Sequence, residues 1–274
     1  MSSVVQLVHR VFEYYTAEKR DMPWRASGLN GLFDPYKILV SEIMLQQTQV
    51  DRVKPKYESF IARFPDVETL AKSSFQEVLL LWSGLGYNRR AKYIHDFARL
   101  MSGKKLPSSL KELTQFKGIG SNTASAVLVY SYNHPKIFIE TNIRTVYLHH
   151  VFTDREDVND KEILVKLSES LAIVAKEYDG NYREFYWALM DYGTYLKKQG
   201  IRNTRSSHYT KQSQFEGSFR QLRGRILRLL TTEKIIKVDT LSQQLQDARL
   251  QMALQELNRE KLITIDNDVV QLTP

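Results

Sequence analysis

Through most of its first ~200 residues the chain repeats apolar side chains at spacings of three and four, interrupted by short turn signals. Few stretches show the strict alternation of strands. Such a chain buries its apolar stripes by packing helix on helix, so the expected fold class is mainly α. The opening twenty residues suit an amphipathic helix with Val4, Val8, Val11, Phe12 and Tyr15 turned inward. Ser74 and Glu77 form a capping box ahead of Val78, Leu79, Leu80, Leu81 and Trp82, and the glycine turn from Ser83 to Tyr87 stops that helix. The next helix runs from about Arg89 through Met101. Pro107 and Ser108 then start a short helix, LKELTQF, which meets Lys117-Gly118-Ile119-Gly120 and is followed by the helical run SNTASAVLVYSY. Two helices joined by a tight glycine hairpin result.

The stretch Ser41 to Val50, SEIMLQQTQV, places a carboxylate within this helical pattern. Asp34 and Pro35 serve as N-cap and first-turn residue, and the helix they start carries Ile38, Glu42 and Leu45 on one side. A glutamate on an apolar face is expected to be desolvated. Its pKa then rises towards neutrality, the condition for a general acid, and Gln46, Gln47 and Thr48 follow at once. The plain alternative is a buried glutamate satisfied by an arginine.

Lys and Arg together number 39 against 31 Asp and Glu, and the pI near 9.4 favours polyanionic partners, nucleic acid first among them. There is no cysteine among the 274 residues. Disulfides, thiolate metal sites, cysteine-held iron–sulfur clusters and cysteine nucleophiles are thereby excluded. The N-terminus lacks the apolar run of a signal peptide and no segment approaches a membrane span, so a soluble, cytoplasmic protein is expected, nucleoid-associated if the source is prokaryotic.

From Lys197 to Ser213 the helical pattern dissolves into KKQGIRNTRSSHYTKQS, with five Lys or Arg and no acid through Lys211. This predicts an exposed basic loop or linker, with a merely solvated connection as the alternative. Phe215 to Pro274 looks like an independent small unit. It has a helix over RQLRGRILRLL, others near 240–246 and 249–261, and a β-hairpin turning at Asp266, Asn267 and Asp268. Three helices closed by a hairpin make a winged-helix arrangement. In the hairpin near 110–130, Gly118 and Gly120 let backbone N–H groups approach an anion, with the positive end of the next helix dipole behind them. The plain alternative is that both glycine turns are simple C-caps.

Together MPWR at 22–25, DPYKILVSEIMLQQTQV at 34–50, WSGLGYNRRA at 82–91, FKGIGSNTASAV at 116–127, ETNIRTV at 140–146 and ALMDYG at 188–193 closely resemble the helix-hairpin-helix DNA glycosylases. The likeness is strongest to the adenine-specific, MutY-type branch. It implies two helical subdomains flanking a base pocket over residues 1–212, with the winged-helix-like domain at 213–274. It also implies base excision: a nucleotide is flipped from the duplex and its N-glycosidic bond hydrolysed. By resemblance Glu42 protonates the purine, Glu140 stands where the family has an aspartate that stabilises the sugar cation, and Asn142 sits beside it. Arg25, Leu45, Asn122 and Trp187 fall in the base pocket. Gln47, Thr48, Leu85, Tyr87, Arg89, Lys117, Gly118, Gly120 and Thr123 are implied DNA contacts; for Leu85 and Tyr87 the alternative is a core contact beneath a turn.

Several departures sharpen the expectation. Members that cleave the strand carry a Schiff-base lysine where this chain has Asn122, so a monofunctional enzyme is expected. Lys197, Thr204, Ser207 and Ser213 occupy the places of four cluster cysteines, so no iron–sulfur cofactor is expected. The resemblance also allows a monovalent cation at the hairpin. Glu140 carries one methylene more than the family's aspartate, a displacement able to cost around a hundredfold in rate. Trp187 replaces a residue that reads adenine's edge, and an indole cannot accept a hydrogen bond. The expected partner is double-stranded DNA with a mispaired or damaged base, bound by a monomer with no membrane association. The expected target is adenine opposite 8-oxoguanine or guanine. The alternatives are the same chemistry on another base, such as thymine or uracil opposite guanine, and a non-catalytic DNA-binding protein on this scaffold.

Overall fold

The computed structural model describes residues 2–29, 31–210 and 214–273. Ser2 caps α1 (Ser3–Glu18) by accepting from Val5 N–H at 3.3 Å, and Val4, Leu7, Val8, Val11 and Tyr15 form its buried stripe. After a short turn of 3-10 helix at Pro23–Arg25, Asp34 opens α2 (Pro35–Leu45), its Oδ1 accepting from Tyr36 N–H at 2.9 Å. Next come α3 (Val50–Arg63), α4 (Val67–Lys72), capped by Asp66, and α5 (Phe75–Trp82). The Ser74–Glu77 capping box is formed in both directions. α6 (Arg89–Met101) has the bounds its periodicity predicts. α7 (Leu110–Leu113) and α8 (Ser121–Tyr132) bracket the glycine hairpin, followed by α9 (Thr141–His150), α10 (Asp160–Glu177) and α11 (Tyr182–Lys198).

The last segment runs α12 (Phe219–Glu233), β1 (Ile235–Lys237), α13 (Val238–Leu245), α14 (Leu250–Arg259), β2 (Ile263–Asp266) and β3 (Val269–Leu272). The strands form one antiparallel sheet in the order β1-β3-β2, the topology of a winged helix. Asn267 and Asp268 both take left-handed backbone conformations, as a two-residue hairpin turn demands.

The chain folds as two compact units. One comprises Met1–Ile38, Ser108–Gln115 and Ile119–Lys211; the other comprises Leu39–Pro107, Phe116–Gly118 and Gln212–Pro274. In the first, α1, α9, α10 and α11 pack around an aromatic core, with Phe12 stacked on Tyr178 at 4.0 Å and Phe138 on Tyr186 at 4.2 Å. In the second, α5 packs against both α6 and α12, and Gln76 donates to Thr231 O at 2.9 Å. The winged helix therefore shares its unit with Leu39–Pro107, because α12 is apolar on the side that meets α5.

Candidate functional site

Within the second unit the site is built around the end of α2. This helix is apolar nearly all round, with Leu39, Val40, Ile43 and Met44 buried, whereas Glu42 and Leu45 are half-buried. Along the expected stripe Ile38 is buried and Glu42 and Leu45 are partly covered, so Glu42 lies on a mostly apolar side of the helix. Partial access suits a carboxyl that a substrate must reach. Four final carbonyls of any α-helix lack intrahelical partners, and here Arg90 supplies donors. Its Nη1 donates to the carbonyls of Ile43 at 2.7 Å, Met44 at 2.9 Å and Gln46 at 2.6 Å. Its Nη2 donates to Thr48 Oγ1 at 3.0 Å and Gly86 O at 3.1 Å. One guanidinium thereby fastens the α2 terminus to the turn 83–87. Burial without a carboxylate lowers the Arg90 pKa to about 10, which leaves it charged at neutral pH.

The residues this clamp presents are those expected to touch DNA. Gln47 and Tyr87 have positive φ angles of 55° and 48°. For a tyrosine that conformation is strained, and such strain gathers at functional sites. The Tyr87 ring lies in an alternating stack within this unit. Arg90 sits over Trp82 at 5.6 Å and over Tyr87 at 5.4 Å, and Arg220 sits over Tyr87 at 4.9 Å and over Phe215 at 5.4 Å. Leu85 is only 3% exposed, so it lies beneath the turn in the free protein. Arg89 is exposed and pairs with Glu260 at 3.2 Å. Gly118 is fixed by its surroundings: φ is +84°, and a Cβ there would lie 2.4 Å from the Tyr93 ring. Lys117 beside it is exposed.

Within the first unit, Gly120 is the exposed N-cap of α8, and a Cβ added there meets nothing. Its small size is thus unused by the protein itself. Thr123 lies half-buried in the first turn of α8, and the Asn122 amide donates to Ile139 O at 3.0 Å, one residue before Glu140. Glu140 is the N-cap of α9, yet its side chain makes no capping bond. Burial pushes its carboxyl up from the usual glutamate range, and the positive charges of Arg144 and Lys197 oppose the rise. Asn142 donates to Met190 O at 3.0 Å and Thr194 Oγ1 at 3.1 Å. Gly193 makes that approach possible, since a Cβ there would lie 2.7 Å from Asn142.

Arg25 is bidentate to Asp191, with both Nη–O distances 2.8 Å, and Arg20 Nε adds a third bond at 2.7 Å. Burial alone would raise the Asp191 carboxyl, but the two guanidinium groups outweigh it and hold the pKa below the usual range. The Arg25 guanidinium lies 5.3 Å from the Trp187 ring, which is 6% exposed and packs on Tyr130 and edge-on to Phe33. Trp187 therefore sits in an aromatic cluster. Sequence reasoning named neither Arg90 nor Asp191 individually, although both lie in motifs it singled out, NRRA and ALMDYG.

Of the expected basic loop at 197–213, Lys197 and Lys198 instead end α11 and residues 199–210 follow it; Lys211, Gln212 and Ser213 lie outside the described residues. The exposed loop is corrected in one respect, for Arg205 turns inward. Its Nη1 donates to the carbonyls of Thr153 at 2.8 Å and Arg155 at 2.9 Å, and its Nη2 donates to Leu148 O at the end of α9. Asn203 and Ser206 are buried, and Val158 bridges to Ser206. Lys197, Thr204 and Ser207 provide no thiolate, so these residues do not fit an iron–sulfur cluster.

Residues 40–172 match the family described as HhH-GPD superfamily base excision DNA repair protein. The adenine DNA glycosylase of Buchnera aphidicola subsp. Baizongia pistaciae is 35% identical over 186 residues, 67% of this chain and 50% of that protein. The adenine DNA glycosylase of Mycobacterium tuberculosis strain H37Rv is 33% identical over 183 residues, 66% of this chain and 58% of that protein. The chain spans about half the length of the curated relatives it matches. Among solved structures, that of a thermostable thymine-DNA glycosylase aligns with a TM-score of 0.58 at 23% identity, covering 70% of this chain and 86% of that one. This last likeness is one of fold.

Proposed function

We propose that this chain, which matches the HhH-GPD base-excision repair family over residues 40–172 and is 35% identical to an adenine DNA glycosylase over 186 residues, is a DNA glycosylase that removes adenine mispaired with 8-oxoguanine or guanine. The observation that carries this proposal is Glu140, a largely buried carboxyl at the positive end of α9 that caps nothing and is held in a field of two cations. A carboxylate spared from structural bonding is suited to face a cationic sugar.

In this proposal Glu42 protonates the flipped purine. The bond from the base nitrogen to C1′ breaks, its electron pair leaves with the base, and the oxocarbenium-like sugar is stabilised by Glu140. Water then adds to C1′, and the proton it loses returns to the Glu42 carboxylate, restoring the acid. Asn142, tied to Met190 and Thr194, fixes the start of α9 and with it the Glu140 backbone. Asn122 has no amine for a Schiff base, so strand cleavage is not part of the reaction, and no metal is assigned a step. The described residues of the loop after α11 are held by the Arg205 hydrogen bonds in place of a cluster.

Trp187, packed against Tyr130 and Phe33, supports a second version, with the same chemistry on a base recognised by stacking. Excision assays over duplexes that each hold one mispaired or damaged base, with and without alkali, separate the two. Glu42→Gln is expected to slow single-turnover base release by at least ~100-fold while duplex binding persists. Near-parental release by that variant would remove Glu42 from the role of acid.

A further inference from the structure

The second unit contains a groove of about 940 Å³ whose walls are the turns at 46–49 and 83–90 on one side and α12 on the other. Six arginines line it, at positions 52, 89, 90, 220, 223 and 228, against a single acid, Glu260. Glu260 is taken by Arg89 and Arg223. Arg90 is committed to backbone carbonyls. Arg52, Arg220 and Arg228 have no carboxylate partner among the described residues; Arg52 donates to Gly84 O and Arg220 to the Tyr87 hydroxyl. A basic groove interleaved with aromatic rings is the pattern that binds a nucleic-acid strand, phosphates on guanidinium groups and bases on ring faces.

Gly224 adds an independent sign. It lies in the middle of α12, where glycine is ~1 kcal/mol worse than alanine. A Cβ there meets no atom within 4 Å, and the residue faces the groove. Packing does not require the glycine, so the space beside it is open for a ligand. Arg220, Gly224 and Arg228 recur at intervals of four and form one stripe of α12. Helix-turn-helix modules ordinarily read DNA with their second helix. Here that helix is α14, and its outward cation Arg259 is paired with Glu256.

We propose that the α12 stripe Arg220, Gly224 and Arg228 forms, with Tyr87, a binding site for a nucleotide of the DNA strand left unpaired opposite the extruded base. The winged helix then reads DNA through its first helix. Arg220, already stacked on Tyr87, sandwiches the unpaired base against that ring, and Arg228 and Arg52 take its phosphates. This inference rests on the glycosylase proposal for its choice of strand, but its test needs no excision.

The probe is a duplex with 2-aminopurine opposite a stable abasic analogue, bound by the full chain. The parent is expected to prefer it to the fully paired duplex and to quench its fluorescence by stacking. Gly224→Leu, with a side chain compatible with the helix but filling the groove, is expected to lose roughly tenfold of that preference and the quenching. Arg228→Gln is expected to weaken binding to every duplex and lower the salt slope by about 1. Unchanged preference and quenching in both Gly224→Leu and Arg220→Gln would overturn the proposal. Tighter binding of all duplexes by Arg220→Gln would overturn it too, marking the side chain as a plug, as would equally tight binding of free dGMP. If instead the parent excises no base from any duplex while the 2-aminopurine results hold, the glycosylase proposal fails and the groove stands.

Discussion

Two buried arginines, one in each unit, are held in opposite ways. Arg25 is neutralised by Asp191, itself 1% exposed, and Arg20 shares the same carboxylate. Arg90 is held by carbonyls and a hydroxyl alone. Carbonyl dipoles orient a guanidinium without cancelling its charge, and its lowered pKa records the cost of that burial. The Arg25 region is therefore fixed by ion pairs to one internal carboxylate, while the Arg90 guanidinium has no carboxylate against it beneath the turns expected to meet a polyanion. Rigidity and attraction are obtained at different places.

The strongest way to break this contrast is Asp191→Asn, which strands the buried Arg25 and takes the carboxylate from the more exposed Arg20. A loss of about 3–5 kcal/mol is expected, read as a lowered urea midpoint, and a change below 1 kcal/mol would show that solvent reaches the pair. Arg90→Met comes next. It frees the α2 terminal carbonyls and is expected to cost about 2–3 kcal/mol, with weaker duplex binding measured by anisotropy. Full retention of duplex affinity would sever the link between the clamp and the presentation of Gln47 and Tyr87.

The smallest effect lies in pH. The Asp191 carboxyl is held low, so its stabilisation is complete above the ordinary aspartate pKa of ~4 and is lost as pH falls through the depressed folded value. His150, in the same unit, is pushed down to about 4 by burial and by the nearby His149 and Arg10. It faces the Tyr192 hydroxyl at 2.8 Å. Its stabilisation is present above the ordinary histidine pKa of ~6.5 and is lost as pH falls through about 4. His150→Asn should flatten the stability decline between those values, and an unaltered slope would assign the decline elsewhere. Arg90 stays charged throughout and should add no acid dependence.

What could be read from the sequence was local. Asp34 before Pro35 and Ser74 three residues before Glu77 announce helix starts because a cap needs only its own first turn. The glycine hairpin was legible for a similar reason, although which glycine the fold requires was not. Only the packing of Tyr93 shows that Gly118 is obligatory and Gly120 is not. Arg25 and Asp191 lie 166 residues apart, and no periodicity links them. Composition read the loop after α11 as solvated, since a guanidinium donating to the carbonyls of Leu148, Thr153 and Arg155 looks, as a letter, like one in water. The helix carrying Glu42 was legible from Asp34-Pro35 and its apolar run, whereas how far its neighbours cover that side chain depends on packing.

Gly224 also has a consequence for anyone who evolves this chain. A screen that rewards heat resistance alone would replace it with alanine almost at once, and repeated rounds would line the cleft with better helix formers. Sturdier offspring of that lineage should drift towards poor discrimination among duplexes, long before any carboxylate of the reaction is touched.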